Sequence, residues 1–159
     1  KEHFKKIIEI DFNYKDAHYN LGVVFKKLGD NEKSIKFYEK AIEIDPNYLD
    51  AYNNLAIIFS ELSEYKKAIK CCEKAIEINP NDLIAHGNLG RIFFELRDYH
   101  KSIKFFERTF SIDPTNKSFF GIYGKLLCRM NKHTKGLKLL KEAEGVVRFS
   151  QLSFEVIKQ

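Results

Sequence analysis

With 159 residues, 44% of them hydrophobic and 31% charged, the chain is too apolar to be a disordered polyelectrolyte, and no apolar run approaches the ~20 residues of a membrane span. The net charge of +5 is mild and singles out no class of partner. Residues 1–9 lack the apolar stretch of a secretory signal, and because the first residue is Lys1 the sequence is expected to start inside a longer protein.

Along the chain the same pattern returns every 34 residues. Pro46, Pro80 and Pro114 are 34 apart, as are Leu21, Leu55 and Leu89, and Phe25, Phe59 and Phe93. Such a period marks a helical solenoid whose units bury their apolar faces only against neighbours. Residues 1–14 read as the second half of an earlier unit, since KKIIEIDFNY aligns with EKAIEIDPNY. Units then run over 15–48, 49–82 and 83–116, with a degenerate one at 117–150. Residues 151–159 open a further helix, with Phe154 and Ile157 in phase with Tyr52 and Leu55.

Within the first full unit His18, Leu21, Gly22 and Phe25 fall at i, i+3, i+4 and i+7, one face of a helix. Ser34, Ile35, Tyr38, Ala41 and Ile42 mark a second amphipathic face, and Leu28-Gly29-Asp30-Asn31 between them supplies turn chemistry. Asp45-Pro46-Asn47 ends the second helix, because proline disfavours helical geometry in the residue before it. Each helix of about 13 residues would run ~20 Å. Small residues recur at the eighth place (Gly22, Ala56, Gly90, Gly124), the twentieth (Ser34, Ala68, Ser102, Gly136) and the twenty-seventh (Ala41, Ala75, Thr109, Ala143). They let helix axes approach closely. In the fourth unit Arg148 stands where the closing proline would be, and Met130-Asn131-Lys132-His133 reads as a less regular turn.

On these residues the chain resembles the tetratricopeptide repeat family. The matches include Leu21-Gly22, Phe25, Tyr38, Ala41 and Pro46, with Tyr52, Leu55, Phe59, Ala68, Ala75 and Pro80 in the next unit. The third unit adds Leu89-Gly90, Phe93, Phe106 and Pro114. The resemblance implies an all-α fold, a right-handed superhelical α-solenoid of helix-turn-helix repeats, with the first helix of each hairpin lining a concave groove. It also implies a scaffold or adaptor that binds a protein or peptide partner.

The places that would face the groove carry Asn20, Asn54 and Asn88, with Asn53 beside the second and Arg91 as an anchor. An asparagine offers an acceptor and two donors to an extended peptide backbone. The column resembles the asparagine ladder of O-linked N-acetylglucosamine transferases and ends at Ile122. A substrate-recruiting arm of such an enzyme is therefore the alternative to a plain scaffold, and self-association through open repeat ends is a further one. The cations of a chaperone-tail carboxylate clamp are missing, since their places hold Tyr19, Ile84 and Asn88.

The second helices carry a basic stripe (Lys33, Lys36, Lys40; Lys67, Lys70, Lys74; Lys101, Lys104, Arg108) interleaved with Glu39, Glu43, Glu73, Glu77 and Glu107. That interleaving describes a solvated face better than a nucleic-acid surface. Cys71, Cys72 and Cys128 have no metal-ligand spacing and read as reduced, packed thiols, which suits an intracellular, cytoplasmic protein. No phosphate-binding loop, nucleophile elbow or metal-binding histidine pair occurs, so neither an enzyme nor a cofactor is expected.

Overall fold

The computed structural model describes residues 14–144, 146–149 and 154–157. The earlier half-unit expected over residues 1–14 lies, but for Tyr14, outside them. Helices follow in pairs: α1 (Lys15–Lys27) with α2 (Asn31–Ile44), α3 (Leu49–Glu61) with α4 (Tyr65–Ile78), α5 (Leu83–Glu95) with α6 (Tyr99–Ile112), and α7 (Phe120–Arg129) with α8 (His133–Glu144). A 3₁₀ turn, Lys117–Phe119, precedes α7. The chain divides into two compact units, Lys1–Ala85 and His86–Gln159.

Each hairpin turn is closed by the same backbone device. The fifteenth place of every unit takes positive φ: Gly29 at 76°, Ser63 and Arg97 at 60°, and Asn131 at 59°. In the first, second and fourth turns the amide one residue later returns to the helix it left: Asp30 to the Phe25 carbonyl at 3.0 Å, Glu64 to Phe59 at 2.8 Å, Lys132 to Leu127 at 2.8 Å. This satisfies a helix-end carbonyl in the Schellman manner. The fourth turn, expected to be less regular, thus matches the others, because asparagine tolerates the left-handed region.

Between paired helices the small columns meet large ones. A Cβ on Gly22 would lie 2.6 Å from the Tyr38 ring, one on Gly90 2.9 Å from the Phe106 ring, and one on Gly124 2.8 Å from Leu140. The twentieth place adds a hydrogen bond: Ser34 Oγ donates to the Gly22 carbonyl at 2.8 Å, and Ser102 Oγ to Gly90 at 2.6 Å. Stacked rings brace the same hairpins, Phe25 on Phe37 at 5.3 Å and Phe93 on Phe105 at 5.5 Å. His18 and His86, both buried, pack against Phe37 and Phe105. In the second unit Phe106, Tyr123, Leu126 and Leu127 form a buried cluster.

The second helix of each of the first three hairpins ends at an Asx turn. Asp45, Asn79 and Asp113 accept at their side-chain oxygens from the amides of Asn47, Asn81 and Thr115, at 3.0, 3.1 and 2.9 Å, around each proline. The equivalent places in the fourth hairpin are Val147 and Arg148, so no such stop exists. There α8 gives way to an antiparallel pair of strands, β1 (Val146–Phe149) and β2 (Phe154–Ile157), with Val146 opposite Ile157 and Phe149 opposite Phe154. This corrects the helix expected at 151–159 where it is described, over 154–157, and the helical reading of 117–150 over 146–149; the remaining residues of the tail lie outside the described ones. Val146, Val147, Phe149, Phe154, Val156 and Ile157 are β-branched or aromatic, and over four residues such runs suit a strand.

Candidate peptide-binding face

The outward face of α1 is set by its own period: Asp16, Asn20 and Val23 follow one another at i, i+4 and i+7, and Asp50, Asn54 and Ile57 repeat the spacing on α3. Two side-chain bonds join these faces within the first unit. Tyr48 donates its hydroxyl to Asp16 Oδ1 at 2.8 Å, and Asn54 Nδ2 donates to the Tyr19 hydroxyl at 3.1 Å. Tyr19 stands edge-on to Tyr48, with centroids 5.1 Å apart and planes at 87°. Lys15 pairs with Asp45 at 2.5 Å while its ammonium lies 5.3 Å from the Tyr48 centroid.

The asparagines chosen from sequence occupy four different environments. Asn20 is half-buried and makes no side-chain hydrogen bond among the described residues. Asn54, also half-buried, donates from Nδ2 to Tyr19 and to the Asp50 carbonyl at 3.0 Å. Asn53 is only 4% exposed and donates to Asp82 Oδ1 at 3.0 Å. Asp82 also accepts from the Ala85 amide at 2.7 Å, so Asn53 ties α3 to the start of α5. In the second unit Asn88 is 3% exposed, its Nδ2 has no hydrogen-bond partner among the described residues, and its Oδ1 accepts from Arg91 Nη2 at 3.5 Å. The column is therefore not a run of equal rungs: Asn53 and Asn88 are interior residues, and Asn20, Asn54 and the half-buried Arg91 reach the surface.

Sequence reasoning missed the tyrosines. Burial, then the Asp50 charge, raises the Tyr19 pKa. Tyr48 is raised by burial first, then by its hydrogen bond to Asp16 and the nearby carboxylates. Both phenols stay protonated at neutral pH and act as neutral donors or acceptors. The signal was present: Tyr48 lies at the last place of a unit whose next helix begins with Leu49 and Asp50, but its reach back to Asp16 is a tertiary fact.

Six of the nine cations of the basic stripe pair with carboxylates of their own helix or its cap. Lys33 pairs with Asp30, Lys67 with Glu64 at 2.5 Å and Lys101 with Asp98 at 3.0 Å, each one turn along its helix. The same three ammonium groups lie 5.5, 5.2 and 5.0 Å from the centroids of Phe25, Phe59 and Phe93. Lys36, Lys40 and Lys74 pair with Glu32, Glu43 and Glu77. The three cysteines are free, and burial pushes the Cys71 thiol up to about 11, so it stays protonated. Among the described residues no group of His, Cys, Asp and Glu is placed to hold a metal ion, and no helix is long and apolar enough to cross a membrane.

Comparison with known proteins agrees with this architecture. A tetratricopeptide repeat model matches residues 16–48 and 49–82, and a second tetratricopeptide repeat model matches 71–104. A crystal structure of MamA superposes with a TM-score of 0.75 at 24% identity, covering 88% of this chain and 82% of that one. MamA from Desulfovibrio magneticus RS-1, residue 41 to the end, gives 0.76 at 19% identity, with 89% and 80% covered. The pilF protein of Pseudomonas aeruginosa gives 0.80 at 22% identity, with 90% and 67% covered. At these identities the likeness concerns the fold. No curated protein matches the sequence. With two successive units matched end to end and a third overlapping them, the chain belongs to the tetratricopeptide repeat family.

Proposed function

We propose that the chain is a protein-interaction scaffold that lays an extended peptide along the exposed faces of its first helices, held in the first unit by Asn20 and Asn54. Taken by itself, the second unit offers Arg91 as the charged residue on its first-helix face. The observation that carries this reading is the state of Asn54. Its amide hydrogens are directed to Tyr19 and the Asp50 carbonyl, which fixes the side chain, while Oδ1 accepts nothing among the described residues. A fixed, half-buried acceptor beside Asn20, whose side chain makes no hydrogen bond among the described residues, suits a peptide backbone, whose donors and acceptors alternate. Pre-organisation of this kind raises affinity by lowering the ordering cost.

The test is a cross-linking pull-down from the native source with wild type and an Asn20→Ala, Asn54→Ala double variant of equal helicity. Partners lost from the double variant support the reading. An unchanged set sinks it. Asn53→Ala serves as the contrast: it should lower stability by about 1–3 kcal/mol by removing one of the two donors to the buried Asp82 carboxylate, the Ala85 amide remaining.

A further inference from the structure

We infer that the first-helix face of the unit Lys1–Ala85 receives a lysine or arginine side chain of its partner segment, seated between the Asp16 and Asp50 carboxylates against the Tyr19 and Tyr48 rings. The inference rests on the peptide-scaffold reading above and adds the charge of the ligand to it.

The sequence places one carboxylate a helical turn before each surface asparagine, Asp16 before Asn20 and Asp50 before Asn54. Asp50 is exposed, and its carboxylate forms no ion pair among the described residues. Nor can its own helix supply a cation, because Leu49–Glu61 contains no lysine or arginine. Asp16 accepts from a phenol, which leaves its charge in place. Lys15, the nearest cation in sequence, forms its ion pair with Asp45.

The rings between the carboxylates are held rather than free. Tyr48 is fixed by Asp16, Tyr19 by Asn54, and the two stand edge to face. A rigid aromatic pair flanked by anions attracts a cation through the ring faces as well as by charge. The chain demonstrates this on itself, since the Lys15 ammonium already lies over Tyr48. The field is also felt by the phenols, both of which are made harder to ionise by burial and by the neighbouring aspartates. In a chain of net charge +5 the two aspartates of this face run against the overall sign, with Lys15 the cation already beside them. Charge complementarity selects a basic segment, whereas an acidic one would be repelled.

The experiment is an NMR titration of the full chain with three probes: acetyl-Ala-Lys-Ala-amide, its norleucine analogue and its glutamate analogue. The lysine peptide is expected to shift the Tyr19 and Tyr48 ring resonances. Binding should weaken by up to about fivefold in Asp50→Asn, the scale of one exposed ion pair. It should weaken again as NaCl rises from about 50 to about 300 mM. Equal shifts from the norleucine or glutamate peptide, or none from the lysine peptide, overturn the inference. So does an Asp50→Asn chain that binds the lysine peptide as wild type does. The two readings fail separately: partners lost from the Asn20, Asn54 variant without a lysine preference keep the scaffold and remove the cation site.

Discussion

The two units use one hairpin design and dress it with opposite chemistry. In the first, the second and fifth places carry Asp16, Asp50, Tyr19 and Asn53, and the ninth carries Val23 and Ile57. In the second, the fifth place is Gly87 and Gly121, and the ninth is Arg91 and Lys125. The packing places hardly change: Ser34 bonds the Gly22 carbonyl in one unit as Ser102 bonds Gly90 in the other. A repeat protein gains this freedom because each hairpin is stabilised by its own contacts and its neighbours. The columns that bury side chains are held by geometry, and those facing solvent are left free to differ between units.

Breaking the packing columns should therefore hurt both units, to different degrees. Phe106→Ala removes a fully buried ring from the cluster with Tyr123, Leu126 and Leu127 and is expected to cost about 3–5 kcal/mol. Urea unfolding followed by circular dichroism measures it. Gly22→Ala and Gly90→Ala should each cost about 1–3 kcal/mol by overpacking. Gly22 is expected to be the worse, because its added carbon would meet Tyr38 at 2.6 Å and that of Gly90 would meet Phe106 at 2.9 Å. The second repeat carries Ala56 and Cys72 at these two places. Gly22→Ala should accordingly regain part of its loss when combined with Tyr38→Cys, and a strictly additive pair would refute that compensation.

How much was legible in the sequence follows the same division. Period, helix pairing, the Asp-Pro stops and the small columns could be read, because each rests on residue type at a fixed spacing. The asparagine column could be located, but not its states. Asn53 is interior because Asp82, 29 residues on, accepts from it. Near Asn88, the ring of Phe119 lies where a Cβ on Gly87 would be 2.3 Å away. Both are contacts between helices that the spacing does not encode. The tail escaped because Phe154 and Ile157 kept phase with the repeat, while the missing Asx-proline turn at Val147 and Arg148 was the signal that mattered.

Turn strain gives a finer comparison. Arg97 and Ser63 hold φ at 60° without being glycine. A left-handed residue with a Cβ costs about 1–2 kcal/mol, partly offset by the unfolded-state freedom glycine would add. Arg97→Gly in the second unit and Ser63→Gly in the first should each stabilise by about 0.5–1 kcal/mol, read from the urea midpoint. Unequal gains would show that one turn relies on its side chain for something besides backbone geometry.

The smallest effect separates the units by pH. Tyr38 is fully buried in the first unit, at the place where the second has Phe106. Burial pushes its phenol up to about 12 from the ordinary 10. The unfolded chain thus loses this proton near pH 10 while the folded chain keeps it, so stability falls as pH rises through that window. Tyr38→Phe removes the dependence and copies the second unit's aromatic. Near pH 8 the change should be within about 1 kcal/mol, because among the described residues its hydroxyl makes no well-formed hydrogen bond, the nearby Ser34 Oγ donating to the Gly22 carbonyl. Hydrogen exchange of first-unit amides at about pH 10 should be slower in Tyr38→Phe than in wild type, with second-unit amides unaffected. Equal rates in the two proteins would mean that the phenol finds an acceptor or water when it ionises, and that burial at this place carries no alkaline penalty.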